Sequence, residues 1–395
     1  MSENTSLPPQ TEEIHEQDLA LIAENLGVKA RADAAARISP EGLDAKRRDI
    51  LIRAISNVVS TENAIFTYAQ IIDGLPTADV AWDRRLSGLY GDHPLDEHEE
   101  LCPGAMEKAR EVCQQWNVSM LAFDPQVIAA YRQATPGTKL FNTRLVELVA
   151  VAVHQFAALL YRLELRMHKG DIEAIAQWVM PRPRRLQPED EWVPIPPRPS
   201  IFNHHAYLDA DIYPDGAADV VGYWAEDRIF GGVVVFNRRA ERDQVLDQDP
   251  PNVYLHPCRE KCTYRVTQLL DHQQQALVDF LLSEPPPSPQ APSASPMPEA
   301  ATPCPLPILV DDRNRVRVDA QVALTYRGIF RDIWERKPLT SEQLMHFYRR
   351  PQGDLDYPEA QLETLAINRA AGVPIQGRFK RYLDGEEASP AFRSV

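Results

Sequence analysis

Apolar positions recur every three to four residues through the first half of the chain, which predicts a mostly helical N-terminal region. The clearest stripe runs from Leu145 to Met167, where the apolar residues keep a period of about 3.6. This stripe predicts one long, largely buried helix over 142–169, at the centre of a bundle. Weaker stripes predict shorter helices over 106–116 and 125–133.

Farther along the chain the pattern changes to short apolar runs of strand character. Val220–Ala225 and Ile229–Phe236 flank three charged residues, which predicts an antiparallel hairpin, and Val253–His256 with Thr263–Val266 predicts a second one. Helical spacing returns over Asp271–Leu282. The sequence therefore predicts an α+β fold, in which the helical bundle packs on a small antiparallel sheet.

Proline clusters divide the chain into segments. Proline accounts for 34 of the 395 residues, well above the usual ~5%, and it is concentrated in two stretches that lack any apolar period. The predicted organisation is an acidic disordered tail over 1–18, a helical domain over 19–180, a Pro-rich connector over 181–199, an antiparallel α+β block over 200–284, a Pro-rich disordered linker over 285–307 and a mixed C-terminal region over 308–395.

Charge and composition restrict the classes of partner. The net charge of −15 makes an acidic surface that repels phosphate backbones, so no nucleic-acid partner is expected. The apolar stretch 146–163 contains Glu147, His154 and Arg162, which a membrane would exclude, and no membrane partner is expected. The N-terminus lacks a signal-peptide pattern and the five cysteines indicate reduced thiols. These features predict a cytoplasmic protein, with the nucleus left open.

No established catalytic or nucleotide-binding motif occurs in the chain, so candidate chemistry rests on three local clusters. The first contains imidazoles and carboxylates, which are ligand types for zinc, iron or manganese: His204, His205, Asp209, Asp211 and Asp215. Their spacing matches no known ligand loop. A solvated strand face followed by a Pro-Asp-Gly turn explains the same residues without a metal. His154, inside the apolar helix, is interpreted as a hydrogen-bonded core residue.

The second cluster is His256, Cys258 and Cys262, whose H-x-C-x3-C spacing supplies three zinc ligands, with a fourth from His204 or His205. A hairpin turn that needs no metal explains this segment equally. No cofactor is predicted, and zinc or another divalent metal is the alternative.

The third cluster, Trp224, Glu226 and Arg228, lies at the predicted hairpin tip, where an exposed Glu–Arg pair is the alternative to a polar-ligand site. A ligand site, if the protein has one, is expected in the loops next to the sheet. The predicted ligand-binding residues are His204, His205, Asp211, Tyr213, Trp224, Glu226 and Arg228.

Four segments resemble a group of uncharacterised proteins of filamentous ascomycete fungi. They are TPGTKLFNTRLVELVAVAVHQ (Thr135–Gln155), YPDGAADVVGYWAEDRIFGGVVVF (Tyr213–Phe236), VYLHP (Val253–Pro257) and ALVDFLLS (Ala276–Ser283). The resemblance covers about the middle third of the chain and implies a fungal, intracellular protein, but no activity, cofactor or catalytic residue. In that group the position of Cys258 is usually acidic, which weakens the zinc interpretation.

These observations favour a non-catalytic intracellular interaction or regulatory protein of fungi, because catalytic signatures are absent and two Pro-rich segments are suited to joining modules. The alternative is an enzyme or small-molecule-binding accessory protein of fungal specialised metabolism, with a pocket where the sheet meets the bundle. The expected partner is accordingly a protein or a small molecule.

Overall fold

The computed structural model describes most of the chain up to residue 337. The described residues are 16–83, 93–179, 181, 196–238, 252–259, 262–284, 303–311 and 313–337. Residues Ala30–Arg336 form one compact unit, and Met1–Lys29 together with Lys337–Val395 form another, of which only 16–29 and 337 are described. All sites discussed below lie in the compact unit Ala30–Arg336.

Helices make up most of the described structure. They are α1 (Glu16–Ala35), α2 (Ala45–Val59), α3 (Glu62–Asp73), α4 (Ala78–Trp82), α5 (Ala105–Gln115), α6 (Pro125–Gln133), α7 (Lys139–Arg162), α8 (Ile172–Ala176), α9 (Ala217–Phe230), α10 (Asp271–Leu282) and α11 (Ala320–Val322). Side-chain caps fix several starts, since Asp44, Thr61 and Asp124 each accept backbone N–H groups in the first turn of α2, α3 and α6.

Five short strands form one antiparallel sheet. The strands are β1 (Val233–Asn237), β2 (Val253–His256), β3 (Val266–Gln268), β4 (Arg317–Val318) and β5 (Ile329–Phe330), in the spatial order β4-β3-β2-β1-β5. Val235 pairs with Tyr254, and Phe236 pairs with Phe330, which places β1 between β2 and β5. The predicted α+β fold, with a small antiparallel sheet, is confirmed.

One hydrophobic core joins the helices to the sheet. It contains Leu51 of α2, Tyr68 of α3, Val149 of α7, Trp224 of α9 and Leu255 of β2, all of them buried. Helix α7 is long and apolar enough to cross a membrane by length and composition, but 83% of its most apolar window is buried inside the protein. That burial is the pattern of a core helix, because a membrane span presents its apolar side chains to lipid.

The central helix differs from its predicted bounds. It begins at Lys139 with Thr138 as its cap, not at Asn142 or Thr143, and it ends at Arg162 instead of continuing to residue 169. Leu163 and Leu165 extend the apolar period, but both are exposed. The chain turns away here through Glu164 and Arg166, which adopt positive φ angles. The prediction over 142–169 was therefore wrong after residue 162.

The predicted first hairpin is wrong. Val220–Ala225 and the three charged residues after it belong to α9, and only the end of Ile229–Phe236 is a strand. Every residue from Ala218 to Phe230 is buried, so α9 lacks the separate polar and apolar faces of a surface helix. Gly231, at φ +97°, ends the helix in a left-handed conformation that favours glycine.

Other elements match more closely. The helix predicted over Asp271–Leu282 and the strand predicted over Val253–His256 are confirmed, whereas the strand predicted over Thr263–Val266 begins at Val266. Residues 16–18 of the predicted tail are helical. Most of the Pro-rich segments 181–199 and 285–307 lies outside the described residues, as does everything after residue 337.

Candidate functional site

A buried histidine links helices α7 and α9 at the junction of the helical bundle and the sheet. His154 of α7 places Nδ1 2.8 Å from Oε1 of Glu226 and Nε2 3.1 Å from Oδ1 of Asp219, both on α9. Gly222 lies between those carboxylates on α9 and leaves room for the ring, because a Cβ there would approach Nε2 to 2.5 Å. An imidazole placed between two carboxylates donates a hydrogen bond from each nitrogen, which requires its protonated form.

The charges around His154 balance. Arg331 donates from Nη1 to Glu226 Oε1 at 2.6 Å, and the second oxygen of Glu226 accepts the backbone N–H of Val234 in β1. Asp219 also accepts the backbone N–H of Asp215, just before α9 begins. Two carboxylates are thus matched by a guanidinium and an imidazolium. We call His154, Asp219, Glu226 and Arg331 the junction network.

The pKa shifts of the junction network agree with this charge assignment. Burial lowers the pKa of His154, but its hydrogen bonds to Asp219 and Glu226 outweigh burial and the pKa is raised overall, against the opposing charge of Arg331. Burial raises the pKa of Glu226, but Arg331 and His154 together lower it by more, so the pKa lies below its usual value. Burial raises the pKa of Asp219 as well, but its hydrogen bond to His154, the charge of His154 and the backbone N–H of Asp215 together leave it lowered.

The carboxyl group of Glu335 lies next to the junction network and, unlike those of Glu226 and Asp219, has a raised pKa. Glu335 Oε1 accepts the backbone N–H groups of Arg331 and Asp332, at 2.5 and 2.8 Å. Its Oε2 is buried and has no hydrogen-bond partner among the described residues. Burial raises the pKa of Glu335 to about 7, even though Arg331 acts in the opposite direction. The hydroxyl of Tyr213 donates to the backbone oxygen of Glu335 at 2.6 Å.

The two histidines at the start of the predicted site lie against the sheet. His204 donates from Nε2 to the backbone oxygen of His256 at 2.9 Å and accepts the backbone N–H of Ala206 at Nδ1. Its ring stacks on that of His205, with centroids 4.8 Å apart. Burial lowers the pKa of His204 well below its usual value, so it is neutral and both of its nitrogens are used.

His256 has the same arrangement. Its Nε2 faces the backbone oxygen of Tyr264 at 3.1 Å and must donate to it, so Nδ1 accepts the hydrogen bond of the Tyr207 hydroxyl, also at 3.1 Å. Burial and the neighbouring His204 lower the pKa of His256 well below its usual value. Neither His204 nor His256 therefore has a nitrogen left to bind a metal.

Cys258 lies closest to His205. Its Sγ is 3.1 Å from Nδ1 of His205 and receives the backbone N–H of the same residue at 3.5 Å. The backbone N–H of Cys258 donates to buried Asp227 at 2.8 Å, which fixes this loop on α9. Possible metal-ligand atoms of His204, His205 and Cys258 lie within 4.8 Å of one another. The predicted triad of His256, Cys258 and Cys262 is not among the convergent groups found in the described residues.

The remaining predicted residues are spread over several places. Trp224 is buried against Phe202, with ring centroids 4.8 Å apart. Arg228 does not lie at an exposed hairpin tip. It is a buried residue in the last turn of α9 and forms an ion pair with Asp83, at 2.9 Å. Asp211 is exposed, in the turns that precede α9, and Cys262 is buried with its pKa raised by burial to about 11. The seven predicted ligand residues do not converge on one point.

Sequence reasoning missed Arg331 and Glu335, because nothing in the local pattern at residues 329–336 connects them to Glu226, about one hundred positions earlier. His154 was interpreted as a hydrogen-bonded core residue, and this interpretation is confirmed. No usable signal was present for Glu226, because it stands next to Asp227 and Arg228 in a charged triplet that is equally typical of an exposed turn.

Comparison of the chain with protein-family models, with curated proteins and with solved structures found no match. The resemblance to ascomycete proteins therefore remains a prediction from the quoted segments.

Proposed function

We propose that the protein is a non-catalytic interaction or regulatory protein of the fungal cytoplasm or nucleus. The observation that carries this proposal is the saturation of three buried histidines at the junction of bundle and sheet: both ring nitrogens of His154, His204 and His256 are engaged by other groups of the protein. A general acid or base must exchange a proton with a substrate, and these imidazoles have no nitrogen facing one.

The carboxylates support the same proposal. Glu226 and Asp219 are held ionised by hydrogen bonds and charges inside the core, and neither is exposed to a ligand. Buried charge networks of this kind fix the relative position of elements, here α7, α9, β1 and the segment 329–336. The junction network thus serves to hold the compact unit together, and recognition is left to its surface.

The net charge indicates the kind of partner. At −15, the chain attracts basic surfaces and repels phosphate-rich ones, so we propose a protein partner with a basic face, and neither nucleic acid nor membrane. A small-molecule ligand is the competing outcome.

The experiment is cross-linking of the full-length protein in cells that express it, combined with native mass spectrometry of the purified material. We expect cross-links concentrated on a basic protein, and no organic molecule retained in stoichiometric amount. A Tyr213→Phe variant, which loses one core hydroxyl, should capture the same partner as far as it stays folded. A stoichiometric small molecule in the purified protein contradicts the proposal and supports ligand binding or catalysis.

A second candidate function follows from the His205–Cys258 pair. The backbone N–H of His205 donates to Cys258 Sγ, and His205 Nδ1 lies 3.1 Å from the same sulfur, the arrangement in which an imidazole activates a cysteine nucleophile. This arrangement supports an enzyme or small-molecule-binding accessory protein of specialised metabolism, with its site at the edge of the junction. Against it, Cys258 is only 2% exposed.

Alkylation separates the two candidates. Because a nucleophile must be reached by its substrate, we expect Cys258 to react with iodoacetamide at least about tenfold more slowly than exposed Cys304 of the native protein. Peptide mapping by mass spectrometry gives both rates in one sample, with Cys304 as the internal reference. A faster reaction at Cys258, lost in His205→Ala, would favour the enzyme.

A further inference from the structure

Three metal-ligand side chains converge at the end of α3, with a cysteine next to them, outside every site predicted from the sequence. Asp73 is the last residue of α3, His98 and Cys102 lie on the segment that leads into α5, and His168 lies on the loop after α7. Possible ligand atoms of Asp73, His98 and His168 lie within 4.8 Å of one another. Cys102 Sγ is 3.4 Å from Nδ1 of His168, and its electrostatic interaction with Asp73 places it near the same carboxylate.

Asp73 and His98 are buried at this point, whereas Cys102 and His168 are partly exposed. Asp73 is 0% exposed, and neither of its carboxylate oxygens has a hydrogen-bond partner among the described residues. Nε2 of His98 is buried as well; it lies 3.1 Å from Oδ2 of Asp73, but not in hydrogen-bond geometry. A buried carboxylate without a hydrogen-bond partner destabilises the fold by on the order of several kcal/mol, as other buried unpaired ions do. A bound cation offsets this cost.

The distances suit a tetrahedral ion. Metal–ligand lengths of about 2.0 Å to nitrogen or oxygen and about 2.3 Å to sulfur, at tetrahedral angles, separate two N/O ligands by roughly 3.3 Å and N from S by roughly 3.5 Å. The observed separations are 3.1 Å between His98 and Asp73 and 3.4 Å between Cys102 and His168. Gly170 leaves room for the His168 ring, since a Cβ there would lie 2.5 Å from Nε2, on the side away from Cys102.

We propose that Asp73, His98, Cys102 and His168 bind one Zn²⁺ ion. A thiolate, two imidazoles and a carboxylate form a donor set typical of zinc, whereas magnesium and calcium select oxygen ligands. Four protein ligands fill a tetrahedral site and leave no position for substrate water, so the site is structural.

Zinc at this position joins three segments that are far apart in sequence. The loop after α7 already docks on the end of α3, through backbone hydrogen bonds from Met167 to Ile72 and from His168 to Asp73. The metal adds the 93–102 segment to the same point. The positive φ angles of Glu164 and Arg166 show that the loop follows a constrained path to bring His168 there.

The other convergent group is a weaker competitor for a metal. In the cluster of His204, His205 and Cys258, both ring nitrogens of His204 are already engaged by backbone groups. A metal there would have to break those hydrogen bonds, whereas the carboxylate oxygens of Asp73 and Nε2 of His98 have none to lose among the described residues.

The test uses the full-length protein, freed of metal and titrated with Zn²⁺ and with Co²⁺. We expect one Zn²⁺ per chain, and in the cobalt form the visible bands of a tetrahedral ion with a thiolate-to-cobalt charge-transfer band. Because loss of an outer-shell partner alone costs 10- to 100-fold in affinity, Cys102→Ala and His98→Ala should each lower zinc affinity by at least about 100-fold. Cys102→Ala should also abolish the charge-transfer band.

Matched controls remove the same residue types elsewhere. Cys304→Ala and His272→Ala change an exposed cysteine and an exposed histidine and should leave zinc affinity unchanged. If a ligand variant does not fold, X-ray absorption of the wild-type zinc protein decides, with one sulfur and three N/O neighbours expected. Absence of stoichiometric zinc binding overturns the proposal, as does binding that persists in Cys102→Ala and His98→Ala but is lost in Cys258→Ala.

Discussion

Arg331→Met is expected to lower the free energy of unfolding by about 3–5 kcal/mol, the usual cost of leaving a buried ion without its partner. Arg331 is 4% exposed and donates to Glu226, which is fully buried. Methionine keeps most of the side-chain volume but removes the cation, so Glu226 retains only His154 and the N–H of Val234. Urea unfolding at neutral pH measures the difference.

The matched control is Arg162→Met. Arg162 makes an equally short ion pair with Asp215, at 2.7 Å, but these side chains are 52% and 35% exposed. Exposed pairs contribute about 0–1 kcal/mol, so this variant should unfold almost as the wild type does. Equal losses for the two variants would show that the junction network does not hold the unit together.

Glu335→Gln is expected to stabilise the protein at alkaline pH and to have little effect at acid pH. The folded-state pKa of Glu335 is raised to about 7, from an ordinary value of 4.5. The folded state therefore holds a proton that the unfolded state releases, and stability falls as pH rises from about 4.5 to 7. The accumulated loss is roughly 3 kcal/mol above pH 7, at about 1.4 kcal/mol per pKa unit.

Glutamine imitates the protonated acid, because it keeps an oxygen that can accept from Arg331 and Asp332 and places an uncharged group at the second position. The difference between variant and wild type should grow from near zero at about pH 4.5 to its full value above about pH 7. The control is Glu107→Gln on the exposed face of α5, for which we expect only a small difference in the free energy of unfolding. A constant difference for Glu335→Gln would contradict the assignment.

The groups of the junction network also make the free energy of unfolding depend on pH, the two carboxylates in one direction and His154 in the other. The lowered pKa values of Glu226 and Asp219 mean that their contribution is present above their ordinary values and lost as pH falls. The raised pKa of His154 means that its contribution is present below about 6.5 and lost as pH rises through the folded-state value. These groups are the same in the Glu335→Gln variant and in the wild type. The difference in unfolding free energy between the two proteins at each pH therefore reports Glu335.

The sequence is sufficient to predict an element when its apolar residues recur on one face and that face is buried. Helix α10 shows such a period and lies where it was predicted, whereas strand β2, buried at all four positions, was predicted from its short run of strand-forming residues. Helix α9 is buried on all sides, so its apolar run has no face, and its length alone does not distinguish a helix from two short strands. Gly231 was the signal for the correct interpretation, as the C-terminal glycine of a helix.

The candidate site was harder to predict than the fold, because its groups come from distant segments. His154 and Glu226 lie 72 positions apart, and Glu226 and Arg331 lie 105 apart. Asp73, His98, Cys102 and His168 show no ligand-loop spacing, and the charged 93–100 segment gives no sign that its His93 and His98 are buried. Only the folded chain brings these donors together.

The central claim is that the junction is saturated by its own groups, and the protonation of its histidines tests it most directly. Long-range ¹H–¹⁵N correlation spectra of histidine side chains report which ring nitrogens carry protons. At about pH 6.5, where a free imidazole of pKa about 6.5 is half protonated, we expect most His154 side chains to carry a proton on both nitrogens, because the pKa of His154 is raised. At the same pH we expect most His204 and His256 side chains to be neutral, with the proton on Nε2, because their pKa values are lowered. A His154 that is mostly neutral at this pH, with one unprotonated nitrogen open to a substrate, would contradict the account.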